Sequence, residues 1–443
     1  MPREPTPRKD LSADALYRQI YHAFETLPDP HPHHSGGLAD ALMSGFAVFA
    51  LKDPSLLAFD ERRRQDAKNL EMIFHIGHVP CDTGLREVLD PVDPEQVRPL
   101  FRQIFAELGR GGVLPEMLFL DDYYLLALDG TEYFLSGQVH CEHCLQKTLS
   151  SGELVYHHQL LGAALVCPGR REVIPLMPEP ILNSDGQTKN DCERNALRRW
   201  LEKFRQDHPH LRVIATLDAL YANAPVISDL RRAFMPWIIR VKEDGNAFLF
   251  EQVRQRAEQG QVEDFAAVGG DGVYRRFRLA GDLPLNASHP EVRVDVLDVW
   301  EPNAKDDGER RFTYALDPIL GLCRARAERL MWGGRSRWKV ENETFNTLKN
   351  QGYHFEHNYG HGHQNLSVVL AMLMMLAFLV DQTSQLCCAL FGAAYEKCGS
   401  KRALWEGVRE IFHRFTVSSM QEIYEALLYG HRRPHVEVLW NSS

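Results

Sequence analysis

The sequence predicts an α/β protein: a mixed sheet with flanking helices, a helical N-terminal domain and a β-rich insertion. Three observations carry this. Short apolar runs alternate with amphipathic helical stretches between residues 118 and 245, the pattern of a sheet covered by helices. Residues 11–110 carry apolar side chains at helical spacing. Residues 246–316 contain runs in the two-residue period of strands. The expected division is 1–117, 118–245, 246–316, 317–385 and a helical tail over 386–443.

In chain order, residues 11–27 and 37–51 read as helices. His31, His33 and His34 lie between them in an expected solvated linker. A short connection at 74–81 leads into a helix capped by Asp82 or Thr83. This pattern fits a helix-turn-helix-like DNA reader, and plain helical packing explains it equally well. Pro94 sits where a helix over 94–108 would begin, at a position that needs no N–H.

Tyr124–Gly130 (YLLALDG) reads as a buried strand with Asp129 at its carboxyl end. Strands follow over 154–166 and 172–177, then a helix over 191–206. A second apolar strand ends in Asp218. A helix over 225–234 and a strand over 237–241 complete the alternation. In such sheets, sites collect at strand carboxyl ends. The insertion supplies runs at 273–279, 292–299 and 311–315, with Trp300 at the end of the second.

Beyond it, Gly333-Gly334 is expected to break a helix over 318–331 and let a new one start at Arg335. This new helix, RSRWKVENETFNTLK, places Arg337 and Glu341 one turn apart. Residues 366–380 form the longest apolar run. It is short of the ~20 residues that span a bilayer, so a buried core helix and no membrane association are expected.

The chain has 443 residues, 44% hydrophobic and 25% charged, enough for a large core and two or three domains. The polar, proline-rich start resembles no secretory signal, and nine cysteines without framework spacing read as reduced thiols. A cytoplasmic location is therefore expected. The net charge of −10 argues weakly against nucleic acid. Between Arg324 and Lys349, however, seven Lys or Arg stand against three Glu, so a basic face on an acidic body is compatible with DNA.

Three acids stand out. Asp129 and Asp218 end separate strands, and Glu341 lies on a helix among Arg335, Arg337, Lys339 and Lys349. Any one of them alone reads as a turn or cap residue. Together, three carboxylates can hold two divalent ions about 3.5–4 Å apart for phosphodiester chemistry. Oxygen ligands favour Mg²⁺ or Mn²⁺ over zinc.

Asp129-Gly-Thr, Asp218, the β-rich insertion, and Arg337-Trp-Lys-Val-Glu341 followed by Lys349 resemble the IS4-type DDE transposases over about residues 118–385. The resemblance implies a ribonuclease-H-like core in which Asp129, Asp218 and Glu341 are the catalytic metal ligands. It implies that Arg337 and Lys349 contact DNA phosphate, with Arg335 and Lys339 beside them, and that Trp300 stacks a flipped base. The implied partners are double-stranded DNA, both terminal inverted repeats and target, and a second copy of the chain in the working complex. The alternatives are a nuclease that cuts without joining and an inactive DNA-binding relative.

The sequence departs from the family pattern twice. Lys349 follows Glu341 by eight residues where seven is usual, which leaves Glu343 as a fallback. The signature tyrosine falls at Gly334, its role missing or taken by Trp332 or Trp338.

Separately, His140-Cys-Glu-His-Cys144 with His157-His158 offers ligands for a zinc site built on Cys141, Cys144 and His158. Cys192 is a fourth ligand only if the fold brings it near. Core cysteines beside surface histidines are the plainer reading.

Overall fold

The alternating apolar runs build one mixed sheet of eleven strands. These are β1 (Leu118–Leu120), β2 (Tyr123–Ser136), β3 (Leu145–Thr148), β4 (Leu154–Val166), β5 (Ile174–Ile181), β6 (Val213–Leu217), β7 (Trp237–Val241), β8 (Glu263–Val268), β9 (Tyr274–Asn286), β10 (His289–Pro302) and β11 (Glu309–Leu316). The computed structural model describes residues 6, 8–29, 36–183, 192–303, 308–430 and 439–440. His31, His33 and His34 lie outside the described residues.

The main path is β3-β4-β2-β6-β7-β11-β10-β9-β8, with β1 on β2 and β5 on β4. β4 runs antiparallel to both of its neighbours β5 and β2, whereas β2, β6 and β7 run parallel. Parallel neighbours need crossovers, which the helices Glu193–Asp207 and Ala224–Arg232 provide. The helix Glu193–Asp207 buries Leu197, Trp200, Leu201 and Phe204, one face of its amphipathic pattern.

The insertion is not a separate β unit. β11 pairs antiparallel with β7, Thr313 opposite Val241, so β8 to β11 extend the central sheet as a meander. The free edge of β7 presents unpaired backbone groups, and this ladder satisfies them. The insertion opens with a helix, Ala247–Glu258, that buries Leu249, Phe250 and Val253.

The apolar run at 366–380 lies in a helix, Leu366–Cys387. It is long and apolar enough to cross a membrane, yet its most apolar window is wholly buried inside the fold. It packs between β5 of the sheet and helices from both ends of the chain. Asp90, from the N-terminal helices, accepts hydrogen bonds from the backbone N–H groups of His363, Gln364 and Leu366 at 2.9–3.0 Å. Asn69 donates to the carbonyls of Phe412 and Phe415 at 2.6 and 2.7 Å. The expected N-terminal domain and C-terminal tail therefore form one helical layer around a shared core. The helices flanking the 74–81 connection, Ala67–Phe74 and Asp82–Leu89, belong to that layer and bury Leu70, Phe74, Leu85 and Leu89 in it.

One expected boundary moves. Gly333-Gly334 does not break the helix: both glycines are buried within Arg324–Arg335. A β carbon at Gly333 would lie 2.8 Å from the Phe119 ring, and one at Gly334 would lie 2.3 Å from Tyr314. The glycines allow the helix to press against the sheet. The chain turns instead at Ser336-Arg337, then forms a π-helical turn over Val340–Phe345 and an α-helical turn over Asn346–Asn350.

Candidate active site

Strand pairing brings Asp129 and Asp218 together. In the parallel ladder of β2 and β6, Ala127 lies opposite Thr216. Carrying that offset forward two residues puts Asp129 opposite Asp218, on strands about 4.8 Å apart. The side chains two residues on share the face of Ala127 and Thr216. Asp129 is not at a strand end, as expected, but in mid-strand: β2 runs on to Ser136 because β4 continues to pair with it, with Gly162 opposite Asp129. Asp218 does end β6. One of its oxygens accepts the Leu220 N–H at 2.9 Å and caps the short helical turn Ala219–Tyr221.

Glu341 arrives on the π-helical turn. Phe345 of that turn packs on Gly162, where a β carbon would lie 2.6 Å from the ring. The missing side chain at 162 thus seats the turn directly beside Asp129. We expect Gly162→Ala to cost about 1–3 kcal/mol, as overpacking does, and to push the turn off the sheet. Denaturation and crystallography of the variant would check both effects, and an unshifted Phe345 at full stability would refute them.

Arg337 lies between two of the acids. Its guanidinium is buried, lies 2.8 Å from Asp129 Oδ2 and 4.0 Å from Glu341 Oε2. Burial pushes the Asp129 carboxyl up to about 6; Arg337 beside it opposes the rise, and the charges of Asp218 and Glu341 add to it. The three predicted carboxylates are thus close enough to repel one another, with one arginine compensating part of their charge. Glu343, the fallback acid, is half-buried on the same turn. It acts on Lys401, whose ammonium burial lowers and whose pKa Asp381 and Glu343 pull back up.

A fourth acid joins the cluster. Glu193, first residue of its helix, packs against Gly130, where a β carbon would lie 2.2 Å from its Oε1. Tyr221 donates to its other oxygen at 3.2 Å. Burial raises its pKa, and the Asp129 charge raises it further. In sequence Glu193 looks like an ordinary first-turn acid favoured by the helix dipole. The glycine after Asp129 was its one signal.

The basic residues expected at the site are spread around it and held by partners. Arg335 lies 2.7 Å from Glu301 and over the ring of Phe312, Lys349 lies 2.7 Å from Glu356, and Lys339 donates to the Arg170 carbonyl. Trp300 is half-buried on β10, with the guanidinium groups of Arg276, Arg278 and Arg311 5.3–5.6 Å from its ring. Trp338 is exposed beside Arg337, and Trp332 packs under Arg275 and Arg335. A tyrosine cannot stand at 334, because Tyr314 fills the space.

The π turn bears on the spacing of Glu341 and Lys349. An i→i+5 turn takes one more residue than an α turn. Lys349, eight residues after Glu341, is therefore carried to about the azimuth of a seventh residue on a regular helix.

No family model matches this chain, and none of the curated proteins compared with it does either.

A second group of side chains can hold a metal ion. One ligand atom from each of Cys141, Cys144, His158 and His361 lies within 4.8 Å of all the others. Three of the four were visible as a motif. The fourth is not Cys192, which is exposed at the start of its helix, but His361, 217 residues from Cys144. Only the fold makes that neighbour.

Proposed function

We propose that the chain is a DDE-type transposase similar to the IS4 group, with a ribonuclease-H-like core formed by β5-β4-β2-β6-β7. It would cut DNA at the ends of a mobile element and join the freed 3′-OH to target DNA. The observation that carries this reading is the convergence of Asp129, Asp218 and Glu341, from two adjacent parallel strands and a packed helical turn, around one buried arginine. The π turn, which absorbs the extra residue before Lys349, supports it further.

The donors are all carboxylate oxygens, a set that fits Mg²⁺ or Mn²⁺. Such ions, when bound, supply activation of the attacking oxygen and stabilisation of the leaving one. The chain's own residues do the rest. Asp218 is held by its backbone cap, with one oxygen left for the site. Asp129 is held by strand pairing, and Phe345 on Gly162 fixes the turn that carries Glu341. Arg337, released from Asp129, is positioned to hold a phosphate oxygen by a charge-assisted hydrogen bond. Trp300 would offer a stacking face to DNA once Arg276, Arg278 and Arg311, which lie over its ring and pair with Glu309, Asp264 and Asp298, turn toward phosphate. Pairing two element ends calls for a homodimer, acting in the cytoplasm.

The test is cleavage and joining of double-stranded DNA carrying the element's terminal repeats in Mg²⁺, comparing wild type with Glu341→Gln. Wild type is expected to cut and join, and the variant to bind without doing either. Cutting without joined product would mean a nuclease. Binding alone by wild type would mean an inactive relative. Activity in Glu341→Gln would remove Glu341 from the site.

A further inference from the structure

The Cys/His cluster lies apart from the acids. Cys141 and Cys144 sit on the turn between β2 and β3, and His158 on β4. His361 comes from the segment between Asn350 and Leu366, which follows the helical turns bearing Glu341 and Lys349. Cys144, His158 and His361 are buried and Cys141 is half-buried. We propose that these four residues form a closed structural zinc site that clamps the 351–365 segment to the β2–β4 hairpin.

The spacing of the ligand atoms carries the proposal. Zinc sits about 2.3 Å from sulfur and about 2.0–2.1 Å from nitrogen in a tetrahedral site. Those lengths require S···S edges of ~3.8 Å and S···N edges of ~3.5 Å. The Cys141–Cys144 Sγ distance is 3.8 Å, both Sγ atoms lie 3.5 Å from His158 Nε2, and Cys144 Sγ lies 3.3 Å from His361 Nε2. A disulfide, by contrast, needs sulfurs about 2.05 Å apart.

The chemistry agrees. Two thiols and two imidazoles turn their ligand atoms toward one another in a buried place, where uncompensated polar groups are costly. Both imidazoles present Nε2 to the centre, while the buried Nδ1 atoms of His158 and His361 meet no hydrogen-bond partner among the described residues. The Phe134 ring, centred 4.3 Å from that of His361, walls one side and helps hold the imidazole in place. Four protein ligands leave no open position, the mark of a structural and not a catalytic zinc site. A soft sulfur and nitrogen set also keeps this ion distinct from the oxygen-bound ions of the acidic site.

The full chain, purified under reducing conditions, is expected to contain about one zinc per chain. After exchange with Co²⁺ it should show thiolate-to-cobalt charge transfer and the strong d–d absorption of tetrahedral coordination. His361→Ala is expected to weaken zinc binding by more than about 100-fold, beyond what losing an outer-shell contact costs. His361→Cys guards against a mere folding failure, since it should keep the ion and add charge-transfer intensity from a third thiolate. Absence of zinc or cobalt binding by wild type would overturn the proposal. So would an octahedral cobalt spectrum, unchanged binding in His361→Ala, or recovery of Cys141 and Cys144 as a disulfide.

Discussion

Lys52→Met is expected to destabilise the protein by about 3–5 kcal/mol, the scale for leaving one member of a buried ion pair without its partner. The Lys52 side chain is fully buried, and its Nζ lies 2.6 Å from Asp381 Oδ2 on the central apolar helix. It also donates to the carbonyls of Phe49 and Ala50, lies about 4 Å from the ring centres of Tyr353 and Trp405, and shares Asp381 with the Tyr353 hydroxyl. Methionine would fill the volume but leave the Asp381 carboxylate buried opposite a thioether. The double variant Lys52→Met, Asp381→Leu should recover most of the loss, because a buried pair exchanged for apolar residues is often neutral. Urea denaturation of wild type, both single variants and the double variant measures this cycle. Equal loss in the double and single variants would show that packing, not the unpaired charge, sets the cost.

If the chain cleaves DNA as proposed, Asp129→Asn is expected to lower cleavage by at least about 10²–10³-fold, the cost of deleting one group that stabilises a transition state. It should do so without lowering stability in chelator. The Asp129 carboxyl is raised from an ordinary 3.8 to about 6, first by burial, so its surroundings disfavour the charge overall. The sign follows. Between pH 3.8 and about 6 the folded protein keeps a proton that the unfolded chain has released, so this group's contribution to stability falls as pH rises through that window and is lost above about 6. Asparagine removes the titration. The variant should therefore melt at or above the wild-type temperature at pH 7, with the difference shrinking toward pH 4. A variant that melts lower at pH 7 would mean that the Arg337 pair outweighs burial and repulsion.

The two variants differ in how far sequence could foresee them. Asp129 is a candidate from sequence, an acid closing an apolar run, and it reads as more than a turn or cap residue only together with Asp218 and Glu341. The Lys52–Asp381 pair is no such candidate, since its members stand 329 residues apart and each looks like a polar residue at a helix end or on a helix surface. The same contrast runs through the candidate site. Glu341 and Glu343 look alike in sequence, and in the fold Glu341 is the one 4.0 Å from Arg337, with its charge acting on Asp129. Glu193 was hidden because its role depends on a glycine 63 positions away, which leaves room for its side chain.

Periodicity is a property of neighbouring residues, and so the chain alone established the α/β alternation, the strands at 154–166 and 237–241, and the buried apolar helix. It also picked out the two aspartates, Glu341 and the Cys-x-x-Cys pair. Local pattern misread Gly333-Gly334 as a helix break, because glycine serves equally to end a helix and to let one approach a sheet. Which of these it does is set by Phe119 and Tyr314, residues that only folding brings near. The same holds for the insertion joining the central sheet, the two chain ends sharing one helical layer, and His361 meeting Cys144. Each depends on which edges and faces remain to be covered once the sheet has formed, and that demand is met across the chain rather than along it.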